Sequence, residues 1–122
     1  MSLTYLDFDF SEDADGHGSF DAMASAAPAQ LPALQAQVLR VLEWAHRGFP
    51  GRRGPLDEGG DWDYELQGVQ EVATTLGVRY DAQAGRLQLE PLATGAPRVT
   101  LSLTLSGTPA FCAAFRDEFE LG

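Results

Sequence analysis

The chain has 122 residues, 44% of them hydrophobic, and its eighteen acidic residues outnumber its eight basic residues to give a formal net charge of −10. Nucleic acids and anionic membrane surfaces attract clustered Lys or Arg, so this charge disfavours both as partners and favours a basic partner or a cation. The length suits one domain with its own core, and we predict a single α+β domain over residues 1–122.

Lysine, isoleucine and asparagine are absent from the chain. The absence of Lys excludes a Schiff-base nucleophile and a Walker-type phosphate loop, and the absence of Asn excludes a Cys-His-Asn triad. All three residue types have AT-rich codons, so a GC-rich bacterial genome is the simplest source of this composition. The absence of these residue types excludes several kinds of catalytic site and does not indicate an activity.

The chain contains one cysteine, Cys112, which excludes an intramolecular disulfide and a metal site built from Cys alone. No apolar run has the length of a signal-peptide core or of a membrane span. We therefore expect a cytoplasmic protein with no membrane partner and no cofactor. Cys112 lies beside the apolar stripe of the last predicted helix, where we expect a buried and inert thiol.

The first predicted element is a strand over residues 3–10, because Leu6, Phe8 and Phe10 alternate with polar positions. An acidic turn with two glycines follows over residues 11–18. Ser19 has the chemistry of a helix N-cap, so a short helix is predicted over residues 20–26.

The main predicted helix carries an apolar stripe at spacings of three and four residues, formed by Leu31, Leu34, Val38, Val41 and Ala45. Gly48 is predicted to end this helix as a left-handed cap. Residues 48–61 are rich in Gly and Pro, and we predict a mobile loop there.

In the second half of the chain, apolar and polar residues alternate, as they do in strands. Alternation around Tyr64 predicts a strand from residue 62, with a bulge at Gly68 and a continuation over residues 69–72. Residues 78–90 predict a hairpin in which Gly85 takes a positive φ.

The last two predicted elements are the clearest strand, over residues 98–106, and a final helix that begins at Pro109 and buries Phe111, Phe115 and Phe119. The predicted order is therefore β-α-β-β-β-β-α. We predict a two-layer α+β sandwich, with a mainly antiparallel sheet of about five strands and two amphipathic helices on one face.

The loop at residues 11–22 is the segment most similar to a metal-binding motif. Asp13 and Asp15 match EF-hand positions, but Ala22 stands where a bidentate Glu is required and a strand precedes the loop. Asp13, Asp15 and His17 offer carboxylate and imidazole ligands for a transition metal, although their spacing matches no recognised ligand set. An acidic, solvated turn is the simpler interpretation, and no metal site is predicted.

The acidic surface is the main candidate site, because the chain contains no complete catalytic motif. We predict a non-enzymatic protein-interaction module, which is either an inhibitor or immunity-type protein that caps a basic partner, or a homo-oligomer. Complementary charge makes such an association fast and salt dependent. The predicted contact surface consists of Asp7, Asp9, Asp13, Asp15, Asp61, Asp63 and Glu65.

Two alternatives remain open. The carboxylates of residues 57–65 offer pairs for a small metal-dependent hydrolase, with His17 or His46 as a further group. A small-molecule sensor would hold its ligand between sheet and helices near Trp44 and Trp62, although the alternation around Trp62 favours a core position.

Two segments carry a resemblance: Tyr-Leu-Asp-Phe-Asp-Phe-Ser-Glu-Asp at residues 5–13 and Gly-Pro-Leu-Asp-Glu-Gly-Gly-Asp-Trp-Asp-Tyr at residues 54–64. They resemble small uncharacterised acidic proteins of GC-rich bacteria. The resemblance extends over most of the chain. It implies no activity, cofactor or site residue, and it agrees with the bacterial, cytoplasmic origin expected from composition.

Overall fold

The computed structural model describes residues 2–121. The strands pair antiparallel, which confirms the predicted α+β class. In chain order the elements are β1 (Asp9–Glu12), β2 (Gly18–Ala26), α1 (Leu31–Gly48), a 3-10 turn (Leu56–Glu58), β3 (Trp62–Glu71), β4 (Thr74–Asp81), β5 (Arg86–Thr94), β6 (Arg98–Gly107) and α2 (Pro109–Glu118).

The strands form two sheets. Four of them make a sheet in the order β1-β2-β6-β3, and β4 and β5 make a separate two-stranded sheet. One face of the four-stranded sheet joins the buried stripes of α1 and α2 in a single core. The helices therefore form the second layer of a sandwich, as the amphipathic patterns predict.

The core between sheet and helices is filled mainly by aromatic rings. The Trp62 ring stacks on Phe111 with centroids 5.6 Å apart and an interplanar angle of 3°. Phe20 from β2 packs against Phe115 from α2 at 4.6 Å. Large aromatic side chains contribute much of the apolar burial in a domain of this size, so these contacts position the sheet against the helices.

The predicted short helix over residues 20–26 is wrong, because this segment is strand β2. Its burial alternates along the whole strand, with Phe20, Ala22, Ala24 and Ala26 buried and Asp21, Met23 and Ser25 exposed. The backbone pairs with β1 on one side and β6 on the other. Alanine has a high helix propensity, and pairing on both edges overrides that preference.

The first predicted strand is correct only at its end. Residues 3–8 lie outside the sheet, and β1 begins at Asp9. The backbone N–H groups of Tyr5 and Leu6 instead donate to the side-chain Oε1 of Gln37 on α1, at 2.9 and 3.3 Å. Leu6 is still buried in the core, as its place on the apolar face predicts.

Three glycine-dependent predictions have different outcomes. Gly85 has a φ of +64°, which confirms the predicted hairpin turn. The bulge predicted at Gly68 is wrong, because β3 and β6 keep a continuous register there and the irregularity falls between Thr75 and Leu76. Gly48 is the last residue of α1 and has no positive φ, so it is not a left-handed cap.

We call residues 74–94 the arm; it consists of β4, β5 and the turn that joins them. The arm continues the β3–β6 ladder outward, since Gly95 N donates to Ala73 O at 2.8 Å beyond the last β3–β6 pair. Its two strands pack against each other and make at most slight contact with the other helices and strands.

Neither α1 nor α2, the helices of the described part of the chain, combines the length and the apolar character needed to cross a bilayer.

Candidate functional site

The face of the four-stranded sheet opposite the helices, here called the outer face, carries polar side chains. Strand register places Asp9 opposite Asp21, and it places Asp21 and Glu65 on either side of Thr104. We call Asp9, Asp21 and Glu65 the acidic row, and all three are exposed. Like charges directly opposite each other destabilise a strand pair, so a bound cation would relieve a cost between Asp9 and Asp21.

The β1–β2 turn lies at one end of the outer face. Asp13 Oδ1 accepts hydrogen bonds from the backbone N–H groups of Asp15 and His17, at 2.9 and 3.0 Å. Gly16 has a φ of +81°, which the tight reversal requires. Asp13 therefore holds the turn together, and this role accounts for its carboxylate without a metal ion.

An open cleft of about 480 Å³ lies between this turn and the 3-10 turn. We call it the acidic cleft. Half of its lining residues are aspartates, and one of them, Asp63, is paired with Arg53. The other three aspartates keep the potential of the cleft negative, so it attracts a cationic group. The lining consists of Asp13, Asp15, His17, Pro55, Leu56, Asp57, Asp63 and Ser106.

Two ion pairs hold the segment between α1 and β3 in place. Arg52 donates to both carboxylate oxygens of Asp61, and Arg53 Nε donates to Asp63 Oδ1 at 2.9 Å. The Arg53 guanidinium also lies over the Tyr64 ring, 4.4 Å from its centroid. The loop predicted to be mobile is thus fastened to the start of β3 by its own arginines.

The Arg52 contact also changes the acidity of its partner. The hydrogen bonds and charge of Arg52 hold the pKa of Asp61 below its ordinary value, and Asp61 in turn raises the pKa of Arg52. Asp61 therefore forms an internal ion pair, and its charge is neutralised before any partner arrives.

The structure divides the predicted contact surface into separate groups. Asp13, Asp15 and Asp63 come together in the acidic cleft, and Asp9 and Glu65 lie in the acidic row. Asp61 is held by Arg52, and Asp7 is exposed in the segment before β1.

Two carboxylates of this surface lie outside the predicted contact surface. Asp21 lies in the segment predicted as helix, and that prediction does not place it in the acidic row. Asp57 belongs to the carboxylates of the hydrolase alternative, and the structure places it in the acidic cleft. The alternation of Phe20, Ala22 and Ala24 is consistent with a strand that places Asp21 on the outer face, but the helix propensity of alanine makes this local signal weak.

The geometry offers little support for metal chemistry. Within residues 2–121, no three His, Cys, Asp or Glu side chains are arranged to hold a metal ion. Two of the carboxylates of residues 57–65 that the hydrolase alternative invokes, Asp61 and Asp63, contact Arg52 and Arg53. The metal-dependent hydrolase stays a prediction without a matching cluster in the described chain.

Cys112 lies in the core, as predicted. Its thiol is nearly inaccessible and lies 3.5 Å from the carbonyl oxygen of Gly107, to which it donates. Burial raises the pKa of the Cys112 thiol, which disfavours the reactive thiolate.

The two tryptophans lie in different surroundings. Trp62 is fully buried, and the aromatic rings around it occupy the space between sheet and helices. Trp44 instead lines an open groove of about 710 Å³ between α1 and the end of α2, with Leu39, Arg40 and Glu118. The sensor alternative, with a ligand between sheet and helices near these tryptophans, stays a prediction.

Comparison of this chain with known protein families, with curated proteins and with solved structures finds no significant match.

Proposed function

We propose that this chain is a non-enzymatic interaction protein that binds a basic protein partner at the acidic cleft and the acidic row. The observation that carries the proposal is the cleft itself. Folding brings Asp13 and Asp15 of the β1–β2 turn beside Asp57 and Asp63, which lie in a distant part of the chain. Opposite charge on a partner would steer its approach and fix its orientation.

The chemistry of the cleft suits an arginine or lysine side chain. Asp15 and Asp57 offer carboxylates for charge-assisted hydrogen bonds, which are stronger than neutral ones. Pro55 and Leu56 offer apolar surface for the methylene stem of the same side chain. The acidic row extends the negative surface beyond the cleft and would contact further basic groups of the partner.

The proposed partner is a protein, because the same surface would repel the phosphates of a nucleic acid or of an anionic membrane. We place the protein in a bacterial cytoplasm on the basis of its composition. An inhibitor or immunity-type role, in which the acidic surface caps a basic site of the partner, follows from this chemistry.

The test compares two variants with the same net charge. Asp15→Asn with Asp57→Asn removes two charges from the cleft, and Glu43→Gln with Asp117→Asn removes two from the helical layer. Each bait is used for affinity capture from lysate of the source bacterium at low salt, with captured proteins identified by mass spectrometry. We expect a basic protein to be retained by the wild type and by the helical-layer variant, and retention by the cleft variant to fall about tenfold.

Salt provides a second criterion, because screening weakens exposed charge pairs once the Debye length falls below about 10 Å. Capture should therefore decrease steadily as salt is raised. Equal capture by both variants, no captured basic protein, or a complex insensitive to salt would each contradict the proposal.

A further inference from the structure

The arm has one apolar face and one polar face. Cross-strand partners in a hairpin lie on the same face, so the register of β4 and β5 defines both. The polar face carries Arg79 opposite Gln88 and Asp81 opposite Arg86. The apolar face carries Leu76 opposite Pro91, Val78 opposite Leu89, and Tyr80 opposite Leu87.

The apolar face lies open. Its large hydrophobic side chains are between 47 and 69% exposed, although hydrophobic residues at such register positions ordinarily pack against a second layer. A two-stranded hairpin is only marginally stable alone in water, and contiguous exposed apolar surface commonly marks an interaction site. The arm thus has the properties of an interface that is unoccupied in a single copy of the chain.

We propose that this apolar face is a homodimer interface, in which the arms of two copies pack face to face. The first argument is the distribution of charge. Residues 66–100, which contain the arm and its base, have three acidic residues (Glu71, Asp81 and Glu90) and three arginines (Arg79, Arg86 and Arg98). The fifteen other acidic residues and five other arginines place the whole net charge of −10 on the rest of the chain.

We call the part of the chain outside residues 66–100 the body. A second copy of the chain is therefore repelled by the charge of the body and not by the arm. Each β4 strand has eight residues, so the arm is about 27 Å long at ~3.4 Å per residue. This length exceeds the Debye length of about 8 Å at physiological ionic strength. Contact through the arms consequently joins neutral surfaces while it keeps the charged bodies apart.

The second argument is area. A fully exposed Leu or Val side chain offers on the order of 100 Å² of apolar surface and a Tyr side chain somewhat more, so the six partly exposed residues of this face give roughly 400 Å² per copy. Two arms would bury roughly 800 Å², which is below the about 1,000 Å² of a stable specific interface and within the range of weak, transient ones. The area therefore fits a dimer that dissociates on dilution.

The test is sedimentation equilibrium of the full chain from micromolar to millimolar concentration. We expect the wild-type mass to rise towards twice the monomer mass. Val78→Arg combined with Leu89→Glu places charge on the apolar face, and the two new side chains can pair across the strands, so the hairpin and the net charge are kept. This variant should stay monomeric.

The matched control exchanges two residues of the polar face, Arg79→Gln with Gln88→Arg, and preserves composition as well as the cross-strand hydrogen bond between these positions. It should dimerise as the wild type does. Hydrogen exchange of residues 74–94 provides a measurement on the wild type alone, since amide protection in the arm should increase with protein concentration if the interface forms.

Salt separates this inference from the proposed function. Binding of a basic partner weakens as salt rises, whereas association of two acidic copies strengthens because their mutual repulsion is screened. A wild type that stays monomeric at all concentrations, or a dimer that survives Val78→Arg with Leu89→Glu, would overturn the homodimer. Neither result would bear on the acidic cleft.

Discussion

Arg52 and Asp61 form a two-point ion pair, in which Nε and Nη2 of the arginine donate to the two carboxylate oxygens at 2.8 and 2.9 Å. The backbone reinforces the contact, since Asp61 N donates to Arg52 O at 2.9 Å. Asp61 O also accepts a hydrogen bond from Thr108 N at the start of α2. This one pair therefore joins the loop before β3 to the helical layer.

Arg52→Ala should reduce stability in a pH-dependent way. Arg52 lowers the pKa of Asp61, so the pair stabilises the fold at pH values above the unfolded Asp pKa of about 3.9. This contribution is lost as pH falls through the lower pKa of the folded state. In urea unfolding series, the free energy of unfolding of the wild type should exceed that of the variant at neutral pH. The two values should converge in strong acid.

Arg47→Ala is the matched control for this experiment. Arg47 contacts Glu43 at 3.9 Å on the exposed side of α1, and an exposed i,i+4 pair contributes little. Its stability difference from the wild type should be small at every pH. If the Arg52→Ala difference were the same in acid as at neutral pH, the ion pair with Asp61 would not be its cause.

Gly107→Ala should destabilise the core. A Cβ at this position would meet the ring of Phe111 at a distance that real Cβ atoms do not show. Phe111 is fully buried and stacks on Trp62, so the ring has little room to move. Overpacking of this kind costs about 1–3 kcal/mol, which denaturant unfolding would measure as a lower midpoint with an unchanged slope.

Gly48→Ala is the contrasting glycine substitution. Gly48 ends α1 and has no positive φ, and a Cβ added there would meet no atom of the surrounding structure within 4 Å. The substitution should be neutral or should raise stability by about 0.4–1 kcal/mol, because alanine has less conformational entropy to lose. If Gly48→Ala and Gly107→Ala lowered the free energy of unfolding equally, steric contact with Phe111 would not be the cause of the loss in Gly107→Ala.

The Cys112 thiol should be unreactive in the folded protein. Burial raises its pKa, and the folded state therefore favours the protonated thiol. A thiol-specific disulfide reagent should modify it at the rate of unfolding and should react at once in denaturant. Rapid modification under native conditions would show that the core around Cys112 opens locally.

The same raised pKa predicts a loss of stability at alkaline pH. The thiol of the unfolded chain ionises near its ordinary pKa of about 8.5, and ionisation above this pH stabilises the unfolded state. The thiol of the folded protein ionises only at a higher pH, so the free energy of unfolding falls between the two pKa values. Cys112→Ala removes the titrating group, so it should reduce the alkaline decline in the unfolding midpoint without affecting the acid branch.

Much of the fold could be predicted from local patterns. The apolar stripe of α1, the alternation of β6 and the phenylalanines of α2 all occur where periodicity places them, because the side of a helix or strand that is buried depends on the spacing of its own residues. The buried positions of Trp62 and Cys112 follow for the same reason.

The tertiary structure decided which residues meet. The strand over Gly18–Ala26 exists because β1 and β6 pair with both of its edges, and the alanines on its buried face carry no local signal strong enough to predict this. The sequence by itself determined an acidic chain with two amphipathic helices and alternating strands. Long-range pairing alone placed Asp21 beside Asp9 and brought Asp15 and Asp57 into one cleft, since contacts between distant segments depend on sheet order and register.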